Sequence, residues 1–437
     1  MPPDPQIVSG IPVASPRVGW LFLDLNSYFA SVEQELDPAL RNRPVAIVPM
    51  HTDTTVCIAA SYEAKGFGVK TGTQVGEAKR ICPGIVLVEG RHDVYVDYHH
   101  RIVQAVESCV PVTCVLSIDE MACRLIGREQ SLLTAMQIAR RTKAAIRDQV
   151  GGTLRCSVGL APNRYLAKIA SDMEKPDGLT ALTHDLLPHA LLRLKLRDLV
   201  GIGSRMENRL HTHGILDMPA LLACTPEQLR HAWGSIQGER LWHWLRGEDF
   251  NDAEAEDPKS IGHQHVLPPE LRTVEGAYSV AQKLLHKAAM RLRAARMWAG
   301  GMALTLKFVV PEQKATRTHS SGIPQKGFSH TLRLVECQDT QTLIEALQKL
   351  WEQRPQGPLC QKPFLVSVTL TDLVPDHLHT LSLFSQEEGE HHRAHVAQTM
   401  DGINAKYGTH TLYFGGMHLA RAAAPTRIAF SSIPDLF

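Results

Sequence analysis

The stretch "CVLSIDEMACRL", residues 114–125, restricts the fold more than any other part of the chain. Its apolar flanks read as a buried strand. Two adjacent carboxylates, Asp119 and Glu120, interrupt it. Successive side chains of a strand point to opposite faces, so one of the two should enter the core, where an unpaired carboxylate is costly. A bend or bulge at the mouth of a hairpin removes the conflict, because both side chains can then turn toward one site. The expected strands are therefore 112–118 and 121–126. A further buried strand, "VGWLFLDL" (18–25), ends near a third acid, Asp24. Carboxylates at neighbouring strand ends are what a two-metal phosphoryl-transfer site requires, with oxygen ligands around ions about 3.5–4 Å apart. Magnesium takes such carboxylates together with substrate phosphates.

Around these strands the pattern alternates. "SYFASVEQEL" has helical spacing, with Phe29, Val32 and Leu36 on one face. Helices are expected near 92–108 and 130–149, a strand at "TLRCSVGLA" and a helix at "NRYLAKIASDM". This is a compact α+β layer. Residues 186–247 are leucine-rich and helical. They contain "DLVGIGSRMENRLHTHGI", whose Gly-x-Gly turn suits a helix-hairpin-helix. Backbone N–H groups around Gly201, Gly203 and Ser204 would there hold a DNA phosphate without reading sequence; an ordinary helix turn has the same pattern. After residue 259 the order is β (260–267), α (276–297), β (301–310), β (328–336), α (340–353), β (363–371), a ferredoxin-like βαββαβ pattern. Leu304, Leu306, Phe308, Val366, Val368 and Leu370 should face the core. Thr305, Lys307, Ser367, Thr369 and Thr371 should face outward with Arg333, giving a polar, basic sheet face that suits a nucleic-acid backbone or plain solvent.

A net charge of +1 does not mark the whole molecule as a polyanion binder, but the charge is unevenly placed. Residues 248–257, "EDFNDAEAED", carry only acids. The next fifty hold Lys259, Arg272, Lys283, Lys287, Arg291, Arg293, Arg296 and Lys307 against Glu270 and Glu275. So sharp a boundary suggests a linker followed by a phosphate-facing domain. With 44% hydrophobic residues the chain can bury substantial cores, and it has no apolar run long enough to span a bilayer. The proline-rich start, "MPPDPQIVSGIPVASP", lacks a signal-peptide pattern and reads as a loose arm. Nine scattered cysteines without a Cys-x-x-Cys pair point to reduced thiols in a cytosol.

"LDLNSYFASVE", "SYEAKGFGVKTG", "EGRHDVYVDYHHRI", "LSIDE" and "SVGLAPNRYLAKIASDMEKPDG" occur in one order. That set resembles the Y-family of translesion DNA polymerases, most closely the bacterial DNA polymerase IV type. The resemblance is dense from 18 to 183 and pattern-level beyond the thumb. It implies an α+β right-hand polymerase: N-terminal arm 1–17, ferredoxin-like palm 18–27 and 91–183, small fingers 28–90, helical thumb 184–249, acidic linker 250–258, little finger 259–378 and tail 379–437. It implies two Mg2+ ions, bridged by Asp24 and Asp119, with Glu120 and the backbone carbonyl of Leu25 completing their ligands. It makes Phe29 the steric gate against a 2′-OH, and it places Tyr28, Tyr62, Lys65 and Lys175 around the incoming nucleotide. Primer–template DNA and dNTP would be the partners of a monomeric cytoplasmic, nucleoid-associated enzyme. "TLSLF" (380–384) is similar to a sliding-clamp peptide, with Leu383 and Phe384 as its apolar anchors; "IPDLF" at the end is a second candidate.

Departures from the family pattern are Lys65 for arginine, Ala59 for threonine, Asn26 for a second aspartate, and Met121-Ala122-Cys123-Arg124 after "SIDE". They suggest altered nucleotide handling, slower turnover or a different lesion preference while keeping the three acids. A polymerase-like scaffold without activity and a nucleotidyl cyclase are the competing readings.

Overall fold

The computed structural model describes residues 16–250, 258–309, 317–318, 324–357, 360, 362–380, 387–408 and 410–423. The chain forms two compact units that divide between Asp252 and Ala253.

In the first unit the elements run β1 (Trp20–Leu25), α1 (Tyr28–Leu36), β2 (Val45–Val48), β3 (Ala59–Ala60), α2 (Tyr62–Gly66), α3 (Val75–Ile81) and β4 (Val86–Glu89). Then come α4 (His92–Glu107), β5 (Cys114–Val115), β6 (Glu120–Arg124), α5 (Leu132–Gln149), β7 (Cys156–Ala161), α6 (Arg164–Met173) and β8 (Leu179–Ala181). Short helices complete the unit: α7 (Ser204–Thr212), α8 (Met218–Ala223), α9 (Pro226–Trp233) and α10 (Ile236–Trp244). The main sheet has the order β5-β6-β1-β7-β8, and β2, β3 and β4 form a small second sheet.

All six residues of β1 are buried. Their parity divides them between two cores. Leu21, Leu23 and Leu25 join α4 and α5 on one face. Trp20 and Phe22 join α6 on the other. In β6, Met121 and Cys123 enter the first core and Ala122 the second. Asp24 and Glu120 share the parity of Phe22 and Ala122, so both belong to the α6 face, and they are paired in register. A Cβ on Gly159 of β7 would lie 2.0 Å from the Ala167 carbonyl oxygen and 2.4 Å from the Ser171 nitrogen. Glycine there lets α6 lie directly on the sheet.

The hairpin is shorter than the sequence suggests. β5 covers two residues, and β6 begins at Glu120 itself. The N–H groups of Leu116 and Ser117 both donate to the Glu120 carbonyl, at 2.9 and 3.2 Å. Two residues thus oppose one, as in a bulge. Asp119 stands in the bend, outside strand alternation.

The second unit contains β9 (Ser260–Val266), α11 (Val274–Ala294), β10 (Met297–Val309), β11 (Arg317–Thr318), β12 (Pro324–Cys337), α12 (Thr340–Glu352), β13 (Pro363–Pro375) and α13 (Glu387–Tyr407). Apart from the two-residue β11, this is the expected βαββαβ order. The sheet reads β11-β12-β10-β13-β9, so each βαβ pair is split by a strand of the other. α11 and α12 pack over Leu304, Leu306, Phe308, Val366, Val368 and Leu370. Arg333 is exposed, while Lys307 and Thr305 are half-buried on the opposite face.

Residues 387–408 and 410–423 belong to this unit. Arg293 of α11 makes a two-pronged ion pair with Asp401 of α13, at 2.6 and 2.8 Å. Lys283, buried on α11, donates to the carbonyls of Ala420, Arg421 and Ala423, at the end of the 3-10 turn Gly415–Ala420. Burial lowers the pKa of its ammonium. The three carbonyls take the place of water.

Candidate active site

The bend in the hairpin brings three acids to one end of the main sheet. Asp24 is 5% exposed. The Leu25 N–H donates to the Asp119 carbonyl at 2.9 Å, which ties the bend to β1. Ser117 Oγ donates to Asp119 Oδ1 at 2.6 Å. Burial pushes the Asp119 carboxyl above its ordinary value, and the Ser117 hydrogen bond opposes this before the charge of Asp24 adds to it. Glu120 is also raised, first by burial, against the pull of Lys168.

Two lysines meet these acids. Lys168 Nζ, on α6, lies 2.5 Å from Asp24 Oδ2, 2.9 Å from Glu120 Oε1 and 3.1 Å from Asp172 Oδ1. Lys175 Nζ lies 2.7 Å from Asp24 Oδ1 and 2.8 Å from Asp172 Oδ1. Burial acts to lower the Lys168 pKa, yet Asp24, Asp172 and Glu120 together hold it above the ordinary lysine value. Three carboxylates, Asp24, Glu120 and Asp172, thus share two ammonium groups, and Asp119 stands beside them on the Ser117 hydroxyl. The donors are hard oxygens, partly desolvated and short of positive charge, which suits a hard divalent cation. Among the described residues no three His, Cys, Asp or Glu side chains stand together at metal-ligand spacing. Lys168 lies between Asp24 and Glu120 instead.

Of the residues expected around the nucleotide, Tyr28 and Phe29 lie on α1 and Tyr62 and Lys65 on α2. Phe29 of α1 stacks on Tyr95 of α4, with ring centroids 4.4 Å apart and planes 16° apart. Tyr28 Oη donates to the Tyr95 carbonyl at 2.6 Å. Tyr95 Oη donates to Glu33 Oε1 at 2.8 Å, and the Arg91 guanidinium also pairs with Glu33, which is 1% exposed. Lys65 Nζ donates to Ser27 Oγ at 2.7 Å and lies 4.3 Å from the Tyr62 ring centroid. Burial lowers the Lys65 pKa, the charge of Lys175 lowers it further, and Asp24 opposes them. Tyr62 and Lys65 therefore share a field with the carboxylate cluster.

The sequence reading did not single out Lys168, Asp172, Tyr95, Glu33 or Arg91. The i,i+4 spacing of Lys168 and Asp172 on one helix was the available signal. Asn26, flagged as a departure, is 3% exposed and joins β1 to the loop after α6. Its Oδ1 accepts from the Asp177 N–H at 2.7 Å and its Nδ2 donates to Ser157 Oγ at 3.1 Å. The amide donates the second bond, whereas an ionised aspartate, having no donor, would need the Ser157 hydroxyl to turn and donate to it. Of the other departures, Met121, Ala122 and Cys123 are fully buried, and Arg124 reaches out to Asp249 Oδ2 at 3.6 Å. The same carboxylate accepts from Trp20 Nε1 at 3.0 Å.

Gly201 has a φ of +89°, a conformation that favours glycine, and Gly203 caps the helix that begins at Ser204. No hydrogen bond or ion pair described here joins this turn to the carboxylates. Lys307 and Arg333 lie on the second unit. Leu383, Phe384 and the "IPDLF" segment lie outside the described residues.

The family model of the impB/mucB/samB family matches residues 23–172, and that family's C-terminal domain matches 258–383. DNA polymerase IV of Moorella thermoacetica is 35% identical over 398 residues, covering 90% of this chain and 94% of that protein. DNA polymerase IV of Pelotomaculum thermopropionicum is 31% identical, with 90% and 93% covered. DNA polymerase IV 1 of Bacillus subtilis is 29% identical, with 89% and 90% covered. Among solved structures, a Y-family DNA polymerase chimera of Dbh and Dpo4 aligns with a TM-score of 0.64 at 22% identity, covering 82% of this chain and 99% of its own. An insertion ternary complex of Dbh DNA polymerase aligns at 0.53 and 21% identity, with 82% and 99% covered, so both show the fold. The chain belongs to the Y-family of DNA polymerases, in the group of bacterial DNA polymerase IV.

Proposed function

We infer that the chain is a template-directed DNA polymerase of low fidelity that performs translesion synthesis. The observation that supports this most is the cluster itself. Asp24 and Glu120 are paired across β1 and β6, with Asp119 beside them in the bend. In this reading residues 18–27 and 91–183 are the palm, 28–90 the fingers, 184–249 the thumb and 259–378 the little finger, joined by the acidic stretch 250–258.

Y-family polymerases use divalent metal ions; we assign two Mg2+, held by Asp24, Asp119, Glu120 and the Leu25 carbonyl. When bound, they activate the primer hydroxyl and neutralise charge on the triphosphate. The chain's own groups do the rest. Lys175, Lys65 and Tyr62 offer ammonium and hydroxyl donors to the triphosphate. Lysine at position 65 gives one point charge where arginine would give a two-pronged contact. Phe29, backed by Tyr95, closes the space that a 2′-OH would need, and Tyr28 anchors the backbone behind it. The primer 3′-OH gives up its proton to water as its oxygen bonds to the α-phosphorus, the bond from that phosphorus to the bridging oxygen breaks, and pyrophosphate leaves.

Primer–template DNA and dNTP are the proposed partners. The turn at Gly201, Gly203 and Ser204, with Lys307 and Arg333, would hold the DNA backbone. Leu383 and Phe384 would dock on a sliding clamp. No described helix is long and apolar enough to cross a membrane. We place the enzyme in the bacterial cytoplasm, at the nucleoid, as a monomer.

The test is primer extension with purified protein, Mg2+ and four dNTPs on undamaged and lesion-bearing templates. Extension on the first and passage across the second are expected. Intact DNA binding without extension would instead favour a scaffold.

A further inference from the structure

Lys168 has no role in the reading just given, although it touches more of the site than any other side chain. Its ammonium takes one oxygen from each of Asp24 and Glu120, and a third from Asp172 one helical turn away. Only 17% of its side chain is exposed, so the contacts are sheltered from water. The Phe22 ring, 5.4 Å from Nζ, bounds the pocket on the sheet side. The missing side chain at Gly159 lets α6 lie close enough to the sheet for Lys168 to reach these acids.

Two of the three contacts are to proposed ion ligands. An ammonium donating to a carboxylate oxygen uses the lone pairs a metal would take, and two cations in such a space repel strongly at low dielectric. Asp172 differs. Its side chain is more exposed, and its Oδ1 already accepts from Lys168 as well as from Lys175, so a contact to Lys168 remains after the other two oxygens are released. The lysine thus has two available stations, the Asp24–Glu120 pair on the strands and Asp172 on its own helix.

We propose that Lys168 is an internal counter-cation: it holds Asp24 and Glu120 together, competes with the divalent ion for them, and withdraws to Asp172 when the ion enters. This sets the concentration of ion at which the site fills. The proposal rests on the reading of these acids as metal ligands.

Mn2+ binding, read by electron paramagnetic resonance without DNA or nucleotide, tests it. Lys168→Met should bind Mn2+ at least about fivefold more tightly than the native protein, and Lys168→Arg, which keeps the charge, should stay near native. Lys168→Gln is the second neutral variant, and a thermal melt checks that each folds. Unchanged or weaker binding in the folded neutral variants would overturn the proposal, because Lys168 would then only orient the carboxylates. Asp119→Asn separates the two readings. If it binds Mn2+ like the native protein, the metal-site reading fails; if it loses binding while Lys168→Met gains nothing, only the Lys168 proposal fails.

Discussion

Asp119 shows how far a single residue could be read in advance. Two adjacent acids in an apolar strand demanded a special reason, and a bend that frees Asp119 from the strand supplies one. The lysines and aromatics around them gave no such signal. Lys168 reads as the polar side of an amphipathic helix, and Tyr95 meets its partner Glu33 across 62 residues of sequence. The raised Asp119 pKa has a consequence for stability. The folded state binds that proton more tightly than the unfolded chain, so stability falls as pH rises through the window above the ordinary value of 3.8, and the ionised group remains a burden at neutral pH. Asp119→Asn should therefore raise the melting temperature by about 2 °C, in line with a gain on the order of 0.5–1 kcal/mol, while abolishing extension. A lower melting temperature by calorimetry would show that the charge is already compensated. For Phe29→Ala, the ratio of kcat/KM for dNTP over rNTP should fall at least about tenfold, or ~1.4 kcal/mol. An unchanged ratio would reject Phe29 as the gate.

At the scale of elements, the alternation of strands and helices was legible, and so were the inward residues of β10 and β13, because period-2 and period-3.6 patterns report burial directly. Strand ends were less so. The expected 112–118 and 121–126 became Cys114–Val115 and Glu120–Arg124, since the bulge at Glu120 uses up the pairing that longer strands would need. The seat of α6 was not legible, because it depends on the missing side chain at Gly159. Gly159→Ala should destabilise the protein by about 1–3 kcal/mol, as overpacking does, and should displace Lys168 together with α6. The urea midpoint should fall, and Mn2+ binding should change with it. An unaltered midpoint would mean that α6 can shift freely.

Across the whole molecule, the charge boundary near residue 257 lies close to the division into two units, but apolar content alone did not show where the C-terminal residues dock. Their anchors, Lys283 and Arg293, lie more than 100 residues upstream. The second unit also holds one buried histidine, His286, and two half-buried ones, His263 and His410. His286 is lowered to about 4 by burial, then by His410 and Arg293. His263 is lowered to about 4 by burial, then by Arg291 and Lys287. His410 is lowered to about 4 by burial, then by Lys283 and Lys287. Each binds its proton less well folded than unfolded, so stability is full above the ordinary value of 6.5 and lost as pH falls from there toward 4. The urea midpoint, followed by fluorescence of Trp298 and Trp351, should be lower at pH 5 than at pH 7.5. A flat profile would contradict the burial of these rings.

The central claim is that Asp24, Asp119 and Glu120 form the centre of a DNA polymerase. The most direct measurement compares native protein and Asp119→Ala for single-nucleotide incorporation on a primed template, with DNA binding recorded in parallel. The native protein should incorporate the complementary dNTP, the variant should lose this by a factor of about a thousand or more, and their DNA affinities should agree within about twofold. Incorporation by Asp119→Ala at the native rate would contradict the claim.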